Sequence, residues 1–429
     1  MVSTYDTLGG AAKATYRLHR ALLSIGVESL MLVKRKLSDD PTVIGHEEKK
    51  EQPPERLIKS FLDKAPILIH ELVKKKRLDK PFSIEWMPSL QMLNLIKEIN
   101  PDIVHLNWIC NGALSIEDIS SIKKPMVWTL HDMWPFTGGC HYSENCNRYE
   151  DNCGKCKIIS SGEERDLSRF IWSRKKKSLS KIANLTIVGV SRWIADCARR
   201  SSIFKGRTIL NIPNPVRTDV FKPSRKVEAR RFFGFPEDKK LILFGAFNAM
   251  KDRRKGFYEL TKALHKIKRE DVELVVFGIS ESKSLPNFGF KTHYMREIKD
   301  EQILAMLYCA GDVMVVPSLQ ESFGQTAAEA LSCGTPVVAF GCTGLLDIVD
   351  HKINGYLAKP YDTDDLKRGI EWILNAQSYE ELSKRARQKV VEEFDSKVVA
   401  KRFARLYQEI LNPRGLPSMH NSNCSHVGL

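Results

Sequence analysis

Two glutamates eight residues apart, Glu321 and Glu329, lie where the chain passes from an apolar run into a helix. The helix is predicted over Gln325–Ser332, because a Pro-Ser pair ends the run before it and a glycine and a proline follow it. In open α/β sheets ligands bind beyond the carboxyl ends of the strands, where a helix amino terminus offers N–H groups to a phosphate. A carboxylate accepts two hydrogen bonds from a vicinal diol, so both glutamates suit sugar hydroxyls. The alternative is that Glu329 only complements the helix dipole, a contribution of about 0.3–1 kcal/mol.

Residues that could take part in ligand binding or catalysis occur in three further places. The basic stretch Lys251–Lys255 suits an anionic ligand, and a solvated basic loop is the alternative. The pair Gly9-Gly10 precedes a predicted helix, which by itself is a weak signal for a phosphate loop. His131 and Asp132 follow a predicted strand, although a lone histidine is more often a packed residue than a catalytic one.

Four of the ten cysteines lie close together in the chain: Cys140, Cys146, Cys153 and Cys156. Four thiolates in a set that ends in C-x2-C could enclose a tetrahedral zinc ion, with His141 as a competing ligand. Free or redox-paired thiols on a loop are the alternative. The other six cysteines are scattered among apolar residues and predict core packing, since a disulfide framework is not expected in a cytosolic chain.

Short apolar runs alternate with helical patterns through most of the chain, which predicts βαβ units and parallel sheets. Each run is continuous, as expected for strands that are covered on both faces. The predicted strands are Ser29–Val33, Ile103–Leu106, Met126–Leu130 and Leu185–Val190, then Leu241–Phe244, Glu273–Phe277, Asp312–Val316 and Pro336–Ala339. Few residues precede the predicted helix Ala11–Leu23, so a first strand is short unless residues are missing at the front.

The proline-rich segment Asn211–Val216 separates the two sets of strands and predicts an interdomain linker. The predicted fold class is therefore α/β, with two Rossmann-like, doubly wound parallel-sheet domains that face a cleft. We divide the chain into a first domain with a Cys-rich insert, a second domain, a last helix that packs back toward the first domain, and a polar, disordered tail. Their residues are 1–212 (insert 140–156), 213–395, 396–411 and 412–429.

Together these motifs make the chain similar, over nearly its whole length, to the retaining GT-B glycosyltransferases of family 4. In that family the first glutamate of an E-x7-E motif contacts the donor sugar, and the second holds the ribose hydroxyls. The resemblance implies these roles for Glu321 and Glu329. It also implies that the backbone of Phe323, Gly324 and Gln325 lines the sugar and the diphosphate.

The same resemblance assigns two cations to the donor diphosphate. Lys255, which precedes a glycine, matches the family lysine. The second cation of the family is often the arginine of a Gly-Arg pair, but this chain has Gly245-Ala246 there. Arg254, Arg253 and Lys251 are the candidates for its place, with Arg254 first among them.

The first domain also carries residues that match the family. Gly9-Gly10 matches a Gly-Gly pair across the cleft from the donor, and His131 matches a cleft histidine that contacts the donor sugar. Cys-rich inserts after a His-Asp-Met-Trp-Pro stretch occur in transferases that resemble those of bacterial surface-polysaccharide assembly, of the colanic-acid type. The insert is therefore expected to mark a subfamily and to shape the acceptor side.

The activity that the resemblance implies is retaining transfer of a sugar from a nucleotide-diphosphate donor to a glycan or lipid-linked acceptor in polysaccharide biosynthesis. The acceptor attacks on the face from which the diphosphate leaves, and the leaving phosphate takes its proton. Catalysis then rests on Glu321, His131 and Lys255 through positioning and electrostatics. The aspartate–metal motif of the other large glycosyltransferase fold is not apparent, so we expect no catalytic metal, and any zinc would be structural.

The formal net charge of +15 admits nucleic acid, an anionic membrane or a phosphorylated small molecule as partner. Nucleic acid is not expected, because the chain has neither a recognisable nucleic-acid-binding module nor basic residues interleaved with stacking aromatics. The segment Arg56–Arg77 mixes lysines with apolar residues, and predicts either an anionic-membrane surface or a covering helix interrupted at Pro66. With no leader and no run of eighteen apolar residues, we expect a cytoplasmic enzyme, peripheral on the inner membrane face if this segment binds lipid.

Two other functions stay open from the sequence. A sugar-nucleotide epimerase can share the two-domain architecture, but it needs acid–base groups around one ligand and no acceptor groove. A non-catalytic, zinc-stabilised binding protein would tolerate replacement of Glu321 and Lys255 without loss of any activity.

Overall fold

The computed structural model describes residues 1–47, 54–74, 78, 80–245, 252–278 and 287–412; most of the predicted tail therefore lies outside the described residues. The first half of the chain forms a seven-stranded parallel sheet in the order β3-β2-β1-β4-β5-β6-β7. Its strands are β1 (Val2–Tyr5), β2 (Met31–Lys36), β3 (Val43–Glu47), β4 (Val104–Leu106), β5 (Met126–Leu130), β6 (Leu185–Gly189) and β7 (Ile209–Asn211).

The second half forms a six-stranded parallel sheet in the order β10-β9-β8-β11-β12-β13. Its strands are β8 (Lys240–Gly245), β9 (Val272–Phe277), β10 (Thr292–Tyr294), β11 (Val313–Val316), β12 (Val337–Phe340) and β13 (Gly355–Ala358). The central strands β5, β9, β11 and β12 are buried at every position, because helices cover both faces of each sheet. The predicted fold class, two doubly wound parallel-sheet domains, is confirmed.

Fourteen helices accompany the sheets in the described part of the chain. In the first domain they are α1 (Gly10–Ser24), α2 (Pro54–Lys74), α3 (Leu90–Ile99), α4 (Ile116–Ser121), α5 (Leu167–Leu179) and α6 (Arg192–Arg200). In the second domain and beyond they are α7 (Lys226–Phe233), α8 (Phe257–His265), α9 (Glu301–Ala310), α10 (Gln325–Ser332), α11 (Leu345–Ile348), α12 (Thr363–Leu374), α13 (Tyr379–Glu393) and α14 (Ser396–Leu411).

All eight strands predicted from apolar runs are present, with ends that differ by up to three residues. The four strands that the runs do not reveal, β3, β7, β10 and β13, are the edges of the two sheets. Edge strands are less completely covered, so their residues are partly exposed and no continuous apolar run marks them. The first strand, β1, is short: four residues that pair with β2 on one side and β4 on the other.

The chain passes between the two domains twice, at neighbouring positions. The first passage follows β7 along the predicted linker, and the second precedes α14. Val216 and Asp395 form a parallel bridge between the passages, and the Val216 N–H donates to the Phe394 carbonyl at 2.8 Å. α14 then packs on α1 through a shared apolar cluster, and the hydroxyl of its Tyr407 lies 2.6 Å from Nδ1 of His105. The last helix is therefore part of the first domain's surface.

The predicted interruption at Pro66 is absent: α2 runs through that residue. A proline has no N–H to donate to the carbonyl four residues earlier, which here belongs to Leu62. The indole Nε1 of Trp86 donates to the Leu62 carbonyl instead, at 3.1 Å, and to that of Asp63 at 3.2 Å. A side chain from outside the helix therefore supplies the donor that Pro66 lacks.

Candidate functional site

Two glycines allow close packing of the loops that follow β8 and β11. Gly324, just before α10, has a φ of 106°, a conformation that favours glycine. A Cβ on Gly324 would also lie 2.7 Å from Cδ2 of Leu345. Gly256, just before α8, has a φ of 70°, and a Cβ there would overlap the Pro317 carbonyl oxygen at 1.7 Å. The two loops therefore form one continuous wall at the carboxyl ends of the strands.

Glu321 lies in this wall and is held from three sides. Nζ of Lys255 is 2.5 Å from Oε1 of Glu321, and the Ser318 hydroxyl donates to the same oxygen at 3.0 Å. The backbone N–H of Glu321 donates to the hydroxyl of Thr343 at 2.9 Å. Burial opposes ionisation of this carboxyl, but Lys255 and Arg254 outweigh it and lower its pKa. Glu321 is therefore an anion in a fixed position.

Of the three candidates for the second cation, Arg254 reaches the cleft. Its Nη1 lies 3.8 Å from Oε2 of Glu321 and donates to the Gln320 carbonyl at 2.9 Å. Arg253 is exposed and pairs at 2.9 Å with Glu259, away from the cleft. Lys251 lies outside the described residues.

Glu329 is buried one turn into α10, and it binds a residue of the other domain. Its Oε2 accepts from the hydroxyl of Tyr308 at 3.1 Å, and its Oε1 lies 2.8 Å from Nη2 of Arg17, on α1. The same Nη2 binds Glu301 at 2.6 Å. Burial opposes the charge on Arg17, but the two carboxylates outweigh it and raise its pKa. Nη1 of Arg17 is buried and has no hydrogen-bond partner among the described residues.

Gly9, Gly10 and His131 line the same cleft from the first domain. α1 begins at Gly10 without a side-chain cap, so the N–H groups of its first turn are open to a ligand. Nε2 of His131 lies 3.1 Å from Oδ1 of Asn107. Burial lowers the pKa of His131 to about 4, against the opposing effect of Asp132, so the imidazole is neutral near pH 7.

Asp132 is buried behind this histidine and its oxygens are occupied. Oδ1 accepts from the Trp134 N–H at 2.9 Å, and Oδ2 accepts from the indole of Trp108 at 2.8 Å. Oδ2 also lies 2.6 Å from Nδ1 of His141, whose Nε2 meets the Ser83 hydroxyl at 2.9 Å. Both ring nitrogens of His141 are therefore engaged, and His141 is not placed to compete for a metal.

Phe323 and Gln325 flank the start of α10. The Phe323 ring packs against Phe394 with centroids 5.5 Å apart, which anchors the loop. The side-chain nitrogen of Gln325 is buried and, within the described part of the chain, has no hydrogen-bond partner. A buried donor of this kind costs free energy unless a ligand accepts from it. Gln325 thus lines the cavity with an unsatisfied side-chain donor, whereas the resemblance implies only its backbone.

These residues enclose a cavity of about 610 Å³ between the domains, within the usual range of about 300–1,000 Å³ for small-molecule sites. The structure brings together there all ten residues predicted for catalysis and donor binding. They are Glu321, His131, Lys255, Gly9, Gly10, Arg254, Phe323, Gly324, Gln325 and Glu329. The four clustered cysteines do not line it.

The cysteines Cys140, Cys146, Cys153 and Cys156 are free thiols at the side of the first domain. Burial raises the pKa of Cys153 to about 12, and it also raises that of Cys140. Within the residues that the structure describes, no group of three or more histidine, cysteine or carboxylate side chains is arranged to hold a metal ion. The thiols as placed do not fit a zinc site, and zinc binding stays a prediction that metal analysis of the purified protein tests.

The cavity wall includes two side chains that the sequence does not reveal, Arg17 and Tyr142. Arg17 is one of several basic residues on α1, and nothing in its spacing indicates partners in another domain. Tyr142 lies inside the Cys-rich insert, where the cysteine pattern indicates a metal rather than a ligand contact. Both act across the cleft, and contacts between domains leave no periodic signal in a sequence.

Two family models match the chain, one for each domain. Glycosyltransferase Family 4 matches residues 8–220, and Glycosyl transferases group 1 matches residues 226–389. The two matched ranges meet next to the first interdomain passage, so the division of the chain between the models follows the division of the fold.

Curated relatives agree with these matches. An uncharacterized glycosyltransferase of Methanocaldococcus jannaschii is 29% identical over 333 residues, which cover 72% of this chain and 83% of that protein. A D-inositol 3-phosphate glycosyltransferase of Xylanimonas cellulosilytica is 35% identical over 167 residues, 35% of this chain and 39% of that protein. The second match therefore spans less than half of that relative's length.

Solved structures match the fold over almost the whole chain. Sucrose-phosphate synthase from Thermosynechococcus elongatus has a TM-score of 0.67 at 21% identity, over 96% of both chains. HepE of Anabaena in complex with UDP-glucose has a TM-score of 0.60 at 15% identity, over 95% of this chain and 99% of that one. These structures show the GT-B fold, and the two family matches, which together cover residues 8–220 and 226–389, show that the chain belongs to the group 1 glycosyltransferases.

Proposed function

We propose that this glycosyltransferase transfers a sugar, with retention, from a nucleoside-diphosphate donor to a hydroxyl of a glycan or lipid-linked acceptor in polysaccharide biosynthesis. The observation that carries the proposal is the convergence of Glu321, Glu329, Arg254 and Lys255 on one cavity between the domains. The UDP-glucose complex of the Anabaena protein supports the donor class. The family matches favour transfer over epimerisation and over binding alone.

The charges of the cavity are distributed as such a donor requires. Glu329 lines the cavity, and its carboxylate suits the ribose diol. Arg254 and Lys255 suit the diphosphate, together with the open first turn of α10 and the unpaired amide nitrogen of Gln325. Glu321 stands beside these cations, where the sugar would follow the diphosphate.

Retention is supported by the weak basicity of the nearby carboxylates. Burial opposes ionisation of Asp132, but His141 outweighs it, and the pKa of Asp132 lies below its usual range. The pKa of Glu321 is lowered by Lys255 and Arg254 in the same way. Both carboxylates are weaker bases than free ones, which favours attack on the same face, with no protein base, over attack from the opposite face.

The reaction then proceeds on one face of the sugar. The bond from the anomeric carbon to the diphosphate breaks as the bond to the acceptor oxygen forms, and the departing phosphate oxygen takes the acceptor's proton. Lys255 and Arg254 stabilise the charge that develops on the diphosphate. His131, which is neutral, can donate a hydrogen bond to the sugar without adding charge.

A panel of UDP-, GDP- and ADP-sugars in a thermal-shift assay tests the donor site, since a ligand at 100 times its Kd adds about 2.7 kcal/mol of stability. The nucleotide that stabilises the protein is then compared with its 2′-deoxy analogue. Loss of one hydrogen bond to a carboxylate costs about 1.5–3 kcal/mol, or roughly 10- to 150-fold in Kd.

We expect this loss in the wild type and its absence in Glu329→Ala. Glu301→Ala is the matched control, because Glu301 shares Arg17 with Glu329 and is not assigned to the ribose. If the analogue loses as much affinity in Glu329→Ala as in the wild type, the ribose assignment fails.

The stereochemistry is tested by NMR of the product. The anomeric configuration of the transferred sugar is expected to equal that of the donor, and the opposite configuration overturns retention. Interconversion of donor sugars without any acceptor would instead identify an epimerase.

Membrane docking through α2 is a further part of the proposal. Among the described helices none is long and apolar enough to span a bilayer. The end of α2, however, exposes a stripe of apolar side chains at helical spacing, led by Leu72 (77% exposed), Val73 (73%) and Ile69. Lysines and an arginine follow directly in the sequence, and each basic residue near an anionic bilayer contributes about 1 kcal/mol. Such a surface suits a lipid-linked acceptor.

Co-sedimentation with vesicles tests this surface. We expect binding to vesicles that contain phosphatidylglycerol, and about tenfold weaker binding for Leu72→Ser/Val73→Ser, because the two side chains lose apolar area to bury. Phe232→Ser is the matched control, because Phe232 is 58% exposed on a helix of the second domain. Equal binding by all three proteins refutes docking through α2.

A further inference from the structure

The Cys-rich insert reaches across the cleft to the second domain. The N–H of Glu144 donates to Oε1 of Gln320 at 3.2 Å, and Nε2 of Gln320 approaches the sulfur of Met133 at 3.8 Å. A second contact nearby involves Arg254, the residue proposed to bind the diphosphate. The ring of Tyr142 lies against the guanidinium of Arg254, with 3.9 Å between the ring centroid and the guanidinium carbon.

Tyr142 is held in this position by both domains. In its own domain the preceding residue, His141, is bonded through both ring nitrogens, and its carbonyl accepts from the Met133 N–H at 2.9 Å. In the other domain the Ser322 hydroxyl donates to the Tyr142 hydroxyl at 3.4 Å. Burial raises the pKa of Tyr142 to about 12, so the phenol is neutral at physiological pH.

Arg254 is held by hydrogen bonds as well as by this ring contact. Nη1 of Arg254 donates to the Gln320 carbonyl at 2.9 Å, and Nη2 donates to Oδ2 of Asp252 at 2.7 Å. These bonds fix the edge of the guanidinium, and the ring of Tyr142 covers one face. A cation held over an aromatic face is stabilised by the ring's electron density.

We propose that Tyr142 is a positioning residue for the donor diphosphate, so that the Cys-rich insert completes the donor site from the acceptor-side domain. The proposal rests on the proposed function, in which Arg254 binds the diphosphate. Tyr142 and Arg254 belong to different domains, so the ring covers the guanidinium only when the cleft is closed. Binding of the diphosphate and closure of the cleft are coupled through this pair.

Calorimetric titration tests the proposal. UDP, GDP and ADP are each titrated into the wild type, and the one that binds is used with its own nucleoside, which lacks the diphosphate. Tyr142→Ala is expected to weaken the diphosphate by roughly 3- to 30-fold, the range of a cation–π contact, and to leave the nucleoside unchanged. Tyr142→Phe keeps the ring and is expected to restore most of the loss.

A double-mutant cycle distinguishes positioning from a merely structural role. In an Arg254→Met background, Tyr142→Ala is expected to cause no further loss of diphosphate affinity. Equal loss for nucleoside and diphosphate, an additive loss in the double variant, or unchanged affinity in Tyr142→Ala each overturns the role of Tyr142. Failure of the wild type to bind any of the three diphosphates overturns the proposed function, and with it this inference.

Discussion

Replacement of Arg17 by methionine tests how the two domains are held together. Arg17 lies on α1 of the first domain, its side chain is 3% exposed, and it binds Glu301 and Glu329 of the second domain. Methionine keeps much of the side chain's apolar length and removes the charge. Two carboxylates then face each other across the gap that the guanidinium filled.

The expected loss of unfolding free energy depends on the contacts that the two carboxylates keep. Removal of one partner of a buried ion pair costs about 3–5 kcal/mol, because the other charge is left uncompensated. Here Glu301 keeps Arg217 at 3.3 Å, and Glu329 keeps the hydroxyl of Tyr308 at 3.1 Å. These contacts place the loss at the lower end, about 3 kcal/mol of unfolding free energy.

Urea unfolding followed by tryptophan fluorescence measures this loss. The matched control is Arg20→Met on the same helix, because Arg20 is 54% exposed and pairs with Asp40 at 2.9 Å. Asp40 is buried, but it still accepts from the hydroxyls of Tyr16 and Thr42 when Arg20 is replaced, and the Arg20 end of the pair is open to solvent. The control is therefore expected to lose only about 0–1 kcal/mol. Arg17→Lys keeps the charge but cannot bridge two carboxylates with one planar fork, and should fall between.

Small-angle X-ray scattering gives a second measurement. Arg17→Met is expected to have a larger radius of gyration than the wild type, because the domains lose a cleft-crossing contact. If Arg17→Met and Arg20→Met have the same unfolding free energy and the same radius of gyration, the ion pairs of Arg17 do not hold the two domains together.

Three further predictions follow from single residues. Lys255→Met should lower kcat by about 10²- to 10³-fold, as measured by release of nucleoside diphosphate, because a fixed cation at the leaving group is lost. Arg253→Met should keep a kcat within about twofold of the wild type, because the exposed Arg253 lies away from the cleft and is not such a cation. The wild type should lose unfolding free energy as pH falls from about 6.5 to about 4, since unfolded His131 binds a proton that folded His131 does not. His131→Asn should reduce this slope in acid titrations of stability, and an unchanged slope contradicts the assignment. Trp86→Phe should lower the unfolding free energy by about 1 kcal/mol, and Pro66→Ala in that background should restore it by supplying an N–H within α2; failure of the second change to restore stability contradicts the account.

The central strands could be predicted because each of them is a continuous apolar run in the sequence. Ile242 and Val315, for example, are fully buried, and a strand buried on both faces must be apolar at every position. The edge strands could not be predicted in this way, because they carry polar, partly exposed residues that interrupt an apolar run. His293 on β10, which pairs with Glu273, is an example. The course of α2 depends on Trp86, far enough along the chain that no local pattern connects it with Pro66.

The part of the cavity wall that the second domain contributes was predictable for a related reason. Glu321, Gly324 and Glu329 come from one strand–loop–helix segment, so their spacing in the chain is also their spacing in the fold. Arg17 and Tyr142 come from the other domain and reach the cavity only through tertiary packing. The part of the site that depends on how two domains meet is the part that a pattern of residues does not record.

The bridge between Val216 and Asp395 has a consequence for turnover. Both connections between the domains pass through one line, so one domain can swing about that line as on a hinge, without stretching either connection. On such a hinge, opening would break the contacts that cross the cleft and leave each sheet unchanged. We therefore expect a single substitution on the cleft wall to change the rate at which spent nucleotide leaves while both cores stay intact.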